Sequence, residues 1–112
     1  MPSTTPSGSQ FGEIFLCEFP FTSGVQSKVR PALVLFDLLH DVILCRVTSV
    51  PHEEPLDIRI DDWKTAGLLK PSVARLGRIV TAEKSIVIRR LGVLSPTDAT
   101  KIRAVWNQHM KL

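Results

Sequence analysis

Short apolar runs bounded by turn residues recur along this chain and predict strands, one of them with a strict two-residue alternation. Residues 12–19, with Ile14, Phe15, Leu16, Cys17 and Phe19, read as a first strand, which Pro20 followed by Thr22, Ser23 and Gly24 brings to a stop. Residues 31–36 and 42–48 are Leu- and Val-rich runs separated by residues 37–41, the pattern of an antiparallel pair. Leu56, Ile58 and Ile60 alternate with Asp57, Arg59 and Asp61, as in a strand with one wet face. Residues 73–80 and 85–93 supply two further strand-like segments.

The period changes in two places. Asp61 or Asp62 is expected to cap a short helical turn through Ala66, ended by Gly67, with Trp63 beneath it. Ser95-Pro96-Thr97-Asp98 reads as a helix start, with Ser as the cap, Pro in the first turn and an acidic residue three positions on. Ala99, Ile102, Val105, Trp106, His109 and Met110 then recur at helical spacing, so one face of this helix should pack on the sheet. Together these elements describe a strongly bent β-barrel of five or more strands with one C-terminal helix.

Composition refines this picture. A chain of 112 residues, 44% of them hydrophobic, can bury one core without staples, so residues 11–112 are expected to form a single domain. Residues 1–10 are almost wholly Ser, Thr, Pro, Gly and Gln, and are expected to form a disordered tail. Cys17 and Cys45 both fall inside apolar runs and read as buried thiols. With no signal peptide and no apolar stretch long enough to span a bilayer, a reduced cytoplasmic setting without membrane attachment is expected. The net charge of +3 is too small to demand a nucleic-acid partner, but its arrangement matters. Acidic residues gather at Glu53, Glu54, Asp57, Asp61 and Asp62, and Lys70, Arg75, Arg78, Lys84, Arg89 and Arg90 follow them. A groove lined by this later half would be basic.

The residues with chemical potential lie at strand ends. Between positions 42 and 49, Ile43, Cys45 and Val47 share one face and Leu44, Arg46 and Thr48 the other. The first set is wholly apolar and is the natural core face, which leaves Thr48 beside Arg46 where a hydroxyl can reach a ligand. Thr48 is equally accounted for as a β-branched strand former. Arg30 precedes Pro31, so its backbone is extended. Its permanently charged planar fork suits a phosphate, or alternatively an ion pair with Glu13 or Glu18. His40, His52 and His109 lack metal-ligand spacing with each other or with the cysteines, and no metal or cofactor is expected. Only His52 lies near Thr48 in sequence, and imidazole is suited to proton transfer near neutrality.

Five pieces occur in a telling order: Gly12-Glu13-Ile14-Phe15-Leu16; a loop at 22–28 leading into Arg30-Pro31; Val47-Thr48-Ser49; the stretch from Asp62-Trp63 through Ala66-Gly67 to Lys70-Pro71-Ser72-Val73; and Arg89-Arg90-Leu91-Gly92-Val93-Leu94-Ser95. This order, over roughly residues 12 to 110, resembles the MazF/PemK family of toxin ribonucleases. The resemblance implies a small SH3-like β-barrel, a homodimer, and an endoribonuclease that cleaves single-stranded messenger RNA without a metal and is restrained by a small antitoxin protein. It assigns catalysis to Arg30 and Thr48, leaving a 2′,3′-cyclic phosphate and a 5′-hydroxyl. Lys28, Ser27, Phe21, Arg46, Ser49 and Arg75 are the expected RNA contacts, although Arg75 could instead cover the barrel rim. Some members carry an acid two positions after the arginine that Arg75 matches, and here that place is Gly77. Two other readings stay open: a non-catalytic toxin of the related CcdB type that binds DNA gyrase through the helix carrying Trp106, and a silent binding barrel.

Overall fold

The computed structural model describes residues 9–20 and 27–112, so residues 1–8 of the tail expected over 1–10 and the expected RNA contact Phe21 lie outside the described residues, while Ser9 is buried and Gln10 N–H donates to Glu13 at 2.7 Å. Among the described residues six strands form one antiparallel sheet: β1 (Glu13–Pro20), β2 (Ser27–Leu38), β3 (Asp41–Thr48), β4 (Asp57–Ile60), β5 (Ser72–Glu83) and β6 (Val87–Val93). Their order across the sheet is β4-β5-β3-β2-β1-β6. A short 3-10 turn, Lys84–Ile86, joins β5 to β6, and one helix, α1 (Pro96–His109), closes the chain. Among the described residues no helix is long and apolar enough to cross a membrane.

β2 is longer than its apolar run. Ser27 to Val29 are exposed, yet they pair with Pro20, Phe19 and Glu18 of β1, because backbone ladder bonds extend the hairpin beyond the hydrophobic residues. The sheet is not hydrogen-bonded into a closed ring, but its two ends meet through the segment that follows β4. Gly67 has φ +81°, and a Cβ there would lie 2.0 Å from the Leu91 carbonyl oxygen of β6; a Cβ at Gly92 would lie 2.6 Å from the carbonyl of Ala66. Only two glycines let these backbones touch.

Both faces of the sheet are buried, by different amounts. The larger core joins Ile14, Leu33, Leu35, Cys45, Val47, Ile58, Ile60, Leu76 and Ile102, with Ala99, Val105 and Trp106 of α1 packed against it. The smaller core joins Phe15, Cys17, Ala32, Val34, Val42 and Leu44. The expectation that β3 has a single core face is therefore corrected. Leu44 is as fully buried as Cys45 and Val47, and that second face turns polar only at Arg46 and Thr48. Burial pushes the thiols of Cys17 and Cys45 up to about 12, as expected for thiols inside apolar cores.

The segment after β4 forms successive turns rather than a helix, with Ala66 N–H donating to the Asp62 carbonyl (3.2 Å) and Leu68 N–H to that of Trp63 (3.0 Å). Its cap comes from far away in sequence. Ser95 Oγ accepts the Asp98 N–H at 3.2 Å, as the helix-start pattern predicts, and the fully buried Asp98 carboxylate accepts the N–H groups of Asp61 (3.2 Å) and Asp62 (2.8 Å). One carboxylate thus ties α1 to the end of β4. Trp106 stacks edge-on against Phe36, with ring centroids 5.7 Å apart, and His109 is exposed.

Candidate active site

The hairpin register brings the two strand ends together. Ala32 of β2 stands opposite Arg46 of β3, so two residues further along each strand Arg30 and Thr48 come to the same end and, by the two-residue period, the same face. Both line one cavity of about 690 Å³, together with Arg46, Ser49, Lys70 and Arg89. Arg30 itself pairs with Cys17 of β1 and Ala32 with Phe15, so these polar groups continue the strand face that carries the small second core.

Arg30 makes no ion pair among the described residues; its guanidinium donates only to the Val29 carbonyl at 3.4 Å. The carboxylates that could have bound it are engaged elsewhere, since Glu13 accepts from Arg90 at 2.8 Å and Glu18 accepts from Ser27. Thr48 Oγ1 accepts the Val50 N–H at 3.1 Å. That bond fixes the hydroxyl in the turn after β3 and occupies one lone pair, leaving its hydrogen and the other lone pair for a ligand. Among the described residues, the lining of this cavity contains four cations and no carboxylate or imidazole.

Other expected residues are placed differently. Ser27 lines neither this cavity nor the one beside it, and Lys28 lines the neighbouring one. Arg75 faces inward: it is buried, with Nε 2.9 Å from Asp57 Oδ1 and its terminal nitrogen on Glu54. Burial raises the Asp57 carboxyl, but the Arg75 hydrogen bond, the Glu54 N–H and the Arg75 charge together hold it below the usual range. The arginine therefore clamps the segment before β4 onto β5. Gly77 lines neither cavity, and a Cβ there would meet only Leu56 at 3.8 Å. His52 does not line the cavity.

Sequence reasoning flagged the basic later half without sorting it. Of its six cations, Arg75, Lys84 and Arg90 are held by Asp57 and Glu54, by Asp37 (2.7 Å) and by Glu13. Lys84 keeps the Asp37 carboxyl low. The remaining three, Lys70, Arg89 and Arg78, open onto the two cavities and were not singled out. Nothing in their local sequence separates the two groups, because each acidic partner comes from a distant strand or turn.

Residues 10–109 match the family model described as PemK-like, MazF-like toxin of type II toxin-antitoxin system. The chain belongs to this family. Solved structures share its fold at low identity. An endoribonuclease in complex with its cognate antitoxin from Mycobacterial species is 17% identical, with a TM-score of 0.72 over 91% of this chain and 94% of that one. MazE-MazF (Form-II) from Deinococcus radiodurans is also 17% identical, with a TM-score of 0.72 over 93% and 97%. MazF (Form-I) from the same organism is 18% identical, with a TM-score of 0.70 over 98% and 100%. No curated protein matches the chain. The PemK-like fold thus places Arg30 and Thr48, the positions that the family resemblance singles out, on one basic cavity.

Proposed function

We propose that this PemK-like toxin is a metal-independent endoribonuclease that cuts single-stranded messenger RNA at a short sequence. The observation that carries the reading is the joint presence of Arg30 and Thr48 on one cavity whose charged lining, among the described residues, is wholly positive. The names of the fold neighbours, endoribonuclease among them, support it.

RNA carries its own nucleophile. The ribose 2′-oxygen attacks the adjacent phosphorus, a P–O2′ bond forms, the P–O5′ bond breaks, and the products are a 2′,3′-cyclic phosphate and a 5′-hydroxyl. No Lewis acid is needed to supply a nucleophile. Arg30 binds the non-bridging oxygens and stabilises the charge that grows on them in the phosphorane. Thr48 orients the 2′-hydroxyl, its own position set by the Val50 N–H. In the displacement the 2′-oxygen gives up its proton and the departing 5′-oxygen gains one. Arg46, Ser49, Lys70 and Arg89 hold the strand along the cavity.

In this reading the protein acts in the cytoplasm as a homodimer, and a small antitoxin with an acidic segment covers the cavity. A neighbour bound to its cognate antitoxin and the MazE-MazF structure support that partnership. The gyrase-binding alternative loses its main sequence support, because Trp106 is half-buried against Phe36. The test is incubation of the purified protein with single-stranded RNA in excess EDTA. Cleavage at a defined short sequence is expected, abolished by a 2′-deoxy substitution at the cut; cleavage that survives that substitution, or none at all, refutes the proposal.

A further inference from the structure

A second cavity of about 330 Å³ adjoins the first and shares Arg30 and Arg46 with it. Its other cations are Lys28 and Arg78, and no acidic residue among the described residues lines it. Arg46 and Arg78 have no ion-pair partner among the described residues. Its apolar wall is Phe19, Ile79 and Val80, the last two 40% and 39% exposed.

Arg78 reaches this place through an irregularity in β5. Arg46 of β3 pairs with Arg75, but its neighbour Cys45 pairs with Ile79, so residues 76–78 are extra on the β5 side. Leu76 is fully buried, while Arg78 is exposed beside Arg46. Bulges of this kind re-aim a side chain next to a site. Four cations around an apolar wall match a phosphate together with its base: the guanidinium groups take the oxygens, and a flat ring lies on Phe19. An acidic peptide would satisfy the cations too, but the two shared arginines run this cavity into the one that holds the reacting phosphate. A polymer with a charge at every step fits that continuity.

We propose that the second cavity is the subsite for the nucleotide next to the scissile step, with Arg78 dedicated to its phosphate. This rests on the ribonuclease reading. Arg78 is a binding residue here and makes no contact with the reacting atoms.

The test uses the full-length protein and a single-stranded RNA carrying the mapped cut site, made uncleavable by a 2′-O-methyl group at the reacting ribose. Binding is followed by fluorescence anisotropy against salt concentration. Arg78→Gln is expected to weaken binding about tenfold and to flatten the slope of log affinity against log salt by about 0.7, one phosphate contact on a single strand. A neutral methylphosphonate at the neighbouring phosphate should cause the same loss in the wild type and no further loss in Arg78→Gln. Unchanged affinity and slope, or equal methylphosphonate losses in both proteins, overturns the subsite while wild-type cleavage leaves the ribonuclease reading standing. Normal RNA binding with weakened antitoxin binding assigns the cavity to an acidic protein and also overturns it. A wild type that cleaves no RNA refutes the underlying reading instead. Arg78 is exposed and makes no ion pair, so circular dichroism of the variant should match the wild type.

Discussion

Replacing Arg75 separates a structural clamp from an RNA contact. The Arg75 and Asp57 side chains are only 8% and 3% exposed, whereas Glu54, the second partner, is 69% exposed. Arg75→Met would leave the Asp57 carboxylate buried without its cation, a loss of about 3–5 kcal/mol; the exposed Glu54 pair contributes under about 1 kcal/mol of this. At about 4–8 °C per kcal/mol for a domain of this size, the melting temperature should fall by roughly 20 °C. Removing both charges, as in Asp57→Leu with Arg75→Met, should recover most of the loss, because two apolar groups leave nothing unpaired. The pH dependence carries a second signature. The folded-state pKa of Asp57 is lowered, so its stabilising contribution is complete above the unfolded value of about 3.9 and is lost as pH falls through the folded value. In Arg75→Met the unpaired carboxylate takes up a proton more readily, so the gap between variant and wild type should shrink on acidification. Thermal melts from about pH 7 to pH 3, scored by circular dichroism, measure both effects. A variant with unchanged stability but weakened RNA binding would refute the clamp and return Arg75 to the RNA surface.

Three further outcomes follow from the fold. Gly67→Ala should cost more than about 3 kcal/mol in urea unfolding, since the positive φ alone costs about 1–2 kcal/mol and the new Cβ would meet the Leu91 carbonyl; a loss under 1 kcal/mol would mean the ends of the sheet do not touch there. Asp98→Ala should cost about 3 kcal/mol by leaving the Asp61 and Asp62 N–H groups unpaired, and Asp98→Asn, which keeps one acceptor, about half that; equal losses would contradict the two-bond geometry. Cys17 and Cys45 should resist a thiol reagent at neutral pH until denaturant is added, and rapid labelling of the native protein would contradict their burial.

Strands and helix were legible because their signals are local. Apolar runs bounded by turn residues mark β1 to β3, a two-residue alternation marks β4, and the Ser95 cap with Pro96 marks α1 at its first residue. What was not legible depends on partners distant in sequence. Leu44 and Cys45 are adjacent and both buried, and only a sheet with a core on each side accommodates that. Asp98 reads as a first-turn acid, but its carboxylate serves a turn 36 and 37 residues away. At the candidate site, Arg30 and Thr48 could be placed from strand ends and the family resemblance. Arg75, Arg78 and Arg89 look alike in sequence, yet one is clamped by acids 18 and 21 residues away and the other two open onto cavities. The bulge that aims Arg78 leaves no mark beyond Gly77.

The central claim is that Arg30 and Thr48 act together on one phosphate. Single-turnover cleavage of a mapped single-stranded RNA by Arg30→Ala, Thr48→Ala and the double variant tests it most directly. Each single change should slow cleavage at least about 100-fold with the fold intact, and the double variant should be little worse than the slower single, as for groups that work as a unit. Near-normal rates in either single variant, or losses that simply multiply in the double, would contradict it.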